Sequence, residues 1–315
     1  MLNYLFRRLL LGLAQLLGLV IVVFLILQAV PGDPVRIMLG ERVPAEYVET
    51  VRERLGLNEP MLTQLWTYLT RIVTGDLGES VTFGQSIQTL VASRMEPSAY
   101  LITYGLLLAV IFGGVLGVFA AVRSGTVADF TLRILATALL AMPAFWVGLV
   151  LALIFGIAWG LFPVSGYQPG LVGAFRTLTL PAIAIAPSLV AVVLRTLRSS
   201  MKRVLDSEYI EAARARGYSE NRVLARHALR NAVTPTISIV AVVVGFLIGG
   251  TAVIEQVFSI PGLGSLLVQA VERRDYPVVQ AVALLAGTVV IVAGLVADLL
   301  QAALDPRVRN AIRNG

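Results

Sequence analysis

Six apolar stretches constrain this chain more than anything else in it. They cover about 9–30, 98–122, 132–158, 178–197, 237–257 and 278–303. Each is close to the roughly 20 residues that a helix needs to cross a bilayer. The hydrocarbon core offers no water to unpaired amides and carbonyls, so runs of this length predict helices that satisfy their own backbones. The expected fold is an all-α membrane protein with six transmembrane helices. Composition agrees: 57% of residues are hydrophobic and 14% charged, with a mean hydropathy of +0.83, where ordinary globular chains carry about 25% charged residues. The first run follows Arg7 and Arg8. It exceeds the roughly 7–15-residue apolar core of a cleaved signal peptide, and no small-residue cleavage site follows it. It is expected to be a retained first span.

An even number of spans puts both termini on one side. Basic residues say which side. Arg7, Arg8, Arg123, Arg133, Arg195, Arg198, Lys202, Arg203, Arg214, Arg216, Arg222, Arg226, Arg230, Arg307, Arg309 and Arg313 all fall on the side of the termini. That side is expected to be cytoplasmic. The net charge of +6 then reflects topology, and nucleic acid is not an expected partner. Residues 1–30 form the N-terminal end and first span, 31–96 an extracellular lobe, 97–305 a five-helix transmembrane core and 306–315 a cytoplasmic tail. In the lobe, Pro31 and Pro34 stop the first span. Stretches 45–55 and 61–74 read as helices and 75–84 as turns. About 65 residues are too few for a large independent core.

The most patterned polar stretch is 206–235. Asp206 and Ser207 are good N-cap residues. Glu208 and Glu211 fall in the first turn of the helix that follows, and Arg214 and Arg216 in its last, the order a helix dipole favours. Gly217 supplies a left-handed stop. A second helix opens at Ser219. In it Arg222, Arg226 and Arg230 form one basic stripe, while Val223, Leu224, His227 and Ala228 share another face. Ala212, Ala213 and Ala215 are small enough for a partner to approach the first helix closely. The bland alternative is a solvated basic linker against anionic headgroups.

Glu211-Ala212-Ala213 followed by Gly217 resembles the EAA loop of the membrane subunits of bacterial ABC importers. That family's general pattern ends in I-x-L-P, where this chain has His227-Ala228-Leu229-Arg230 and a proline only at Pro235. The departure is similar to the dipeptide/oligopeptide and nickel permease branch. Other anchors follow that branch in order: Ala29-Val30-Pro31-Gly32-Asp33-Pro34, Gly75-Asp76-Leu77-Gly78, Phe258-Ser259-Ile260-Pro261-Gly262-Leu263-Gly264, Asp275-Tyr276-Pro277 and Leu304-Asp305-Pro306-Arg307. The resemblance implies the type I ABC importer fold, with 206–235 between the fourth and fifth spans. Glu208, Tyr209, Glu211, Ala212, Ala213, Arg214, Ala215, Arg216 and Gly217 would couple to an ATPase subunit. It further implies a second, similar permease subunit, two ATPase subunits holding ATP and Mg, and an external substrate-binding protein. This chain would bind no cofactor itself. The lobe would face the binding protein or simply cap the pore.

Within the spans, Gly113/Gly117, Gly156/Gly160 and Gly245/Gly249 are small-xxx-small pairs that let backbones approach. Pro143, Pro181 and Pro187 are expected to kink or break their helices, as hinges, pore lining or static packing. Glu255, Asp298 and Arg195 are the intramembrane ionisable residues, functional suspects by default that equally could pair near an interface. Met142, Pro143, Pro187, Thr251 and Glu255 are the candidate pathway or gating positions. The loop after the fifth span, 259–277, with a short helix around 266–272, is expected on the outer surface near the pore mouth.

Enzyme chemistry finds little support. With no cysteine, thiolate metal sites and cysteine nucleophiles are excluded. The single lysine, Lys202, follows Met201 and not glycine, so no phosphate-cradling loop can form. The single histidine, His227, rules out a His-based metal motif or triad, and packing is the simpler role for it. No midplane ionisable cluster of the kind ion-coupled carriers use is visible. The chain therefore reads as a plasma-membrane permease for di- or oligopeptides, working by alternating access driven by separate ATPases. Nickel, glutathione or another small solute are alternative cargoes, and an ATP-independent secondary transporter or a membrane enzyme are alternative classes.

Overall fold

A computed structural model describes residues 2–40 and 42–304. The expected tail at 306–315, with Arg307, Arg309 and Arg313, lies outside the described residues. Among the described residues, five helices are long and apolar enough to cross a membrane, and a sixth span is a bent pair. The spans are α1 (Leu2–Ala29), α5 (Ile87–Val122), the pair α6 (Val127–Ala141) and α7 (Ala144–Leu151), α8 (Leu171–Leu205), α12 (Thr234–Val257) and α14 (Tyr276–Leu304). Six spans agree with the apolar runs. Their edges and one interior do not.

The third run is not one helix. Its halves meet at 93°. Pro143 has no N–H to donate and disfavours helical backbone at the residue before it. Met142 accordingly takes an extended conformation (ψ 122) and Pro143 starts the second half. Beyond α7 the helix widens into a π segment over Ala152–Ala158. Pro181 and Pro187, by contrast, sit inside an uninterrupted α8. Thr177 and Thr179 donate to the carbonyls of Gly173 and Phe175 on the preceding turn, and neighbours wrap this helix, so packing holds it together.

Helix α5 starts at Ile87, inside the stretch expected as lobe. Ser86 caps it, accepting from the Thr89 amide at 3.3 Å, and Ile87, Leu90 and Val91 are buried against α13 (Leu263–Glu272) and α14. Pro97 is accommodated within the helix. The lobe proper is α2 (Pro34–Leu39), α3 (Ala45–Arg54), α4 (Met61–Thr74) and a two-stranded hairpin, β1 (Glu79–Ser80) with β2 (Gln85–Ser86). Its small core gathers Val35, Val48 and Val51.

The centre of the chain is α8, which packs on α5, α6, α7 and α12. Gly113 and Gly117 make this possible. A β-carbon on Gly113 would come within 2.9 Å of the Val190 carbonyl, and one on Gly117 within 3.1 Å of the Leu194 carbonyl. Gly245 likewise meets Val290 of α14, whereas Gly249 faces open space. The Gly156/Gly160 pair does not join two helices. Gly156 packs on the loop that follows, at Phe162 and Val164, and Gly160 turns the chain out of the helix at φ +63.

Candidate coupling and gating sites

The segment at 206–235 folds as two short helical pieces around a bend. Helix α9 (Glu208–Ala215) follows α8 after a single turn. Ser207 is its N-cap by position, but the hydroxyl donates back to the Val204 carbonyl instead of capping. Gly217 stands at φ +78 and donates to the Arg214 carbonyl at 2.9 Å. This left-handed turn suits glycine because a side chain would clash with its own backbone. Ser219 then precedes α10 (Glu220–Arg222), a π segment (Val223–Ala228) and α11 (Leu229–Ala232).

One face of this hairpin is anchored. Ile210 and Ala213 are buried with Leu197 and Met201 of α8, Ala121 of α5, and Val223, Ala228 and Ala232. Ala213 is thus used by the chain's own packing. Glu208, Tyr209, Glu211, Ala212, Arg214, Ala215 and Arg216 are exposed. Arg214 spans the bend to Glu220 at 2.8 Å. Arg222 lies over the Tyr218 ring, whose other neighbour is His227, stacked at 5.5 Å between centroids. Tyr209 accepts from Asn231 at 2.9 Å. Arg222, Arg226 and Arg230 are exposed, as their stripe predicts. The result is a packed knob on the end of α8 with a polar outer face.

A second node lies at the opposite ends of the spans. Glu255 and Thr251 of α12 are fully buried. One Glu255 carboxylate oxygen accepts from Ser98 of α5 at 2.7 Å and from Thr251 at 3.3 Å. The other accepts from the Ser265 amide at 2.7 Å, at the N-terminus of α13, where a helix favours negative charge. Ser98 in turn accepts from the Leu263 amide. The glycines of the Pro261-Gly262-Leu263-Gly264 turn fit this seat. A β-carbon on Gly262 would lie 2.5 Å from the Glu255 carboxylate oxygens, and one on Gly264 within 2.6 Å of the Ala252 Cα. The short helix expected around 266–272 is α13, which starts three residues earlier and packs against α5, α12 and α14. Glu255 is a structural clamp here, with its carboxylate turned to protein groups.

The remaining candidates scatter. Met142 and Pro143 are exposed at the break between α6 and α7, and Pro187 is half-buried on α8. Asp298 pairs with Arg8 of α1 at 2.6 Å, and Arg195 donates to Thr137 of α6.

Sequence reading passed over one residue, Asp129. It is buried near the start of α6. Arg198 of α8 grips it through Nε and Nη2, at 2.5 and 2.6 Å, and the Gly125 amide donates to it at 3.1 Å. A signal existed: Asp129 is the only acid between Glu96 and Asp206. Asp275 opens the Asp275-Tyr276-Pro277 anchor. It is fully buried, accepts from Ser80 of the hairpin at 2.5 Å, and so stitches the lobe to the start of α14. The adjacent Arg274 donates to the Pro31 carbonyl. A polar groove of about 820 Å³ opens on the lobe, lined by Arg54, Arg71, Asp76, Glu79 and Gln88 among others. Nearby, burial pushes the Tyr68 phenol above the ordinary tyrosine range.

The arrangement has known counterparts. Residues 113–310 match the family described as "Binding-protein-dependent transport system inner membrane component", and residues 1–89 match that system's N-terminal membrane-component family. The glutathione transport system permease protein GsiC of Escherichia coli (strain K12) is 39% identical over 310 residues, covering 98% of this chain and 99% of that protein. GsiC of Salmonella typhimurium (strain LT2) is 38% identical over 309 residues, with the same coverage. Among solved structures, the inward-facing MetNI methionine ABC transporter superposes with a TM-score of 0.56 at 16% identity, covering 69% of this chain and 96% of that one. An amino acid ABC transporter with histidines gives 0.51 at 15%, covering 68% and 94%. At that identity the two structures speak for the fold alone. The chain belongs to the binding-protein-dependent transport system inner membrane component family, and is a multi-pass inner-membrane permease subunit of an ABC importer.

Proposed function

We propose that this chain is one of a pair of similar permease subunits that admit short peptides, glutathione included, to a bacterial cell. The observation that carries this is the 39% identity to a glutathione permease along nearly all of both chains; glutathione is itself a tripeptide. A binding protein would deliver cargo on the lobe side, where the polar groove offers both charge signs. Two ATPases, holding ATP and Mg, would engage the exposed face of α9. Both termini would be cytoplasmic. The test is the complete assembly in proteoliposomes with its binding protein. Glutathione or dipeptides should stimulate ATP hydrolysis several-fold and accumulate inside. Stimulation by nickel alone, or uptake by this chain without ATP, would overturn the reading.

Coupling follows from the knob. Closure of the ATPases would push α9, and α8 would carry the displacement into the bundle, shifting populations between inward- and outward-open states. Gly217→Pro cannot adopt φ +78 and removes the donor to Arg214. Glu211→Arg reverses an exposed charge. Each is expected to lower transport at least about tenfold while the protein still inserts; peptide-stimulated ATP hydrolysis at the wild-type level in both would refute the role.

The broken third span supports a pathway role for Met142 and Pro143. Non-helical backbone at membrane depth is tolerated only against protein or a water-filled cavity. The exposed break therefore faces the second permease subunit or the translocation channel. As for topology, single cysteines at Thr50 or Thr74 in this cysteine-free chain should react with an impermeant thiol reagent in intact cells. Reaction only after lysis would reverse the orientation.

A further inference from the structure

Helix α4 carries three distinct faces. Gln64 and Tyr68 turn toward α1: Gln64 accepts from Gln28 at 2.7 Å, and Tyr68 stacks on Phe24 at 6.5 Å. Thr63, Thr67, Thr70 and Thr74 recur at helical spacing on a second face and are exposed. Leu62, Trp66, Leu69 and Val73 form the third. Leu62 is 80% exposed, Trp66 69% and Val73 87%, with Leu69 half-buried, so the described residues leave most of that stripe uncovered. At 14 residues α4 is too short to span a bilayer.

We propose that this stripe is embedded in the lipid of the leaflet at the C-terminal end of α1, so that α4 lies along the membrane surface and moors the lobe to it. Three observations point to lipid as the occupant. First, α4 packs alongside a transmembrane helix. Phe24 lies five residues before Ala29, the last residue of α1, about 8 Å along the helix at 1.5 Å per residue. That is the depth, about 5–10 Å, to which surface-lying amphipathic helices sink. Second, α1 leaves Leu25 and Ile26, next to Phe24 in the chain, exposed, as a helix bathed in lipid would at this depth. Third, the side-chain chemistry fits an interface. Leu, Val and a Trp form the apolar face, the exposed threonines stand around the helix from it, and Arg71 is the helix's only charged residue.

The test uses the full assembly in vesicles. Trp146→Phe and Trp159→Phe leave Trp66 as the single tryptophan of the three in this chain; partner-chain tryptophans are replaced likewise. Acyl chains brominated near the headgroup should quench Trp66 emission by about half or more, and chains brominated at the bilayer centre less. In parallel, Thr67→Cys should react with a water-soluble maleimide at least about tenfold faster than Leu62→Cys. Absence of quenching, or equal labelling rates, would overturn the proposal. So would protection of Leu62→Cys that appears only when the binding protein is added, which would assign the stripe to a protein partner.

Discussion

Glu255→Ala should produce an assembly that loses its fold at a temperature lower by on the order of 10 °C, with transport falling in step. The reasoning starts from burial. Glu255 is inaccessible, and its carboxylate holds the Ser98 hydroxyl, the Thr251 hydroxyl and the Ser265 amide. Truncation strands the Ser98 hydroxyl and the Ser265 amide where water cannot reach them, at about 1–3 kcal/mol each, while Thr251 can fall back on the Ile248 carbonyl. It also frees the N-terminus of α13 from the groups that position it. Gly264→Ala attacks the same seat from the other side. The new β-carbon meets the Ala252 backbone, which has no rotamer to yield, and overpacking of this kind costs about 1–3 kcal/mol. The two variants should converge on one defect, α13 detached from α12, readable as new protease sensitivity around 259–263. Unchanged thermal stability in both would show that the clamp is not needed.

Arg198→Ala should be nearly as damaging at the other end of the bundle. It leaves Asp129 buried with only the Gly125 amide and, at 3.8 Å, the exposed Arg133 for company. Breaking a buried pair by removing one partner costs about 3–5 kcal/mol because the survivor is an uncompensated charge. Removing both, as Asp129→Leu with Arg198→Leu, should recover much of that loss. If the double variant is stable yet transports poorly, the pair positions α6 against α8 during the cycle. If Arg198→Ala alone matches the wild type in stability, the ion pair contributes little.

How much of this could be read from residue order varied by element. Span number and kind were legible because twenty apolar residues in a row leave one solution in lipid. The helix–bend–helix form of 206–235 was legible because dipole order and a stop glycine are local signals, although the expected Ser207 cap does not form. Pro143 broke its span as expected, whereas Pro181 and Pro187 did not, since whether a helix survives proline depends on who packs around it. The start of α5 lay ahead of the expected span because Pro97 hid a helix whose first ten residues are held by the Ser86 cap and by contacts with α13 and α14. Glu255 and Asp129 share the same lesson. Each is a solitary acid in an apolar region, which marks it as costly. Only the partner's position in space distinguishes a clamp from a cargo contact.

The unbroken course of α8 limits how force can travel. Its 35 residues run about 52 Å at 1.5 Å per residue, and α5, α6, α7 and α12 enclose it. A stiff mast embedded in its own rigging cannot slide alone. Under the proposed coupling, a push at its foot would swing the enclosing helices with it, and the seam that opens and shuts would lie between this chain and a second permease subunit.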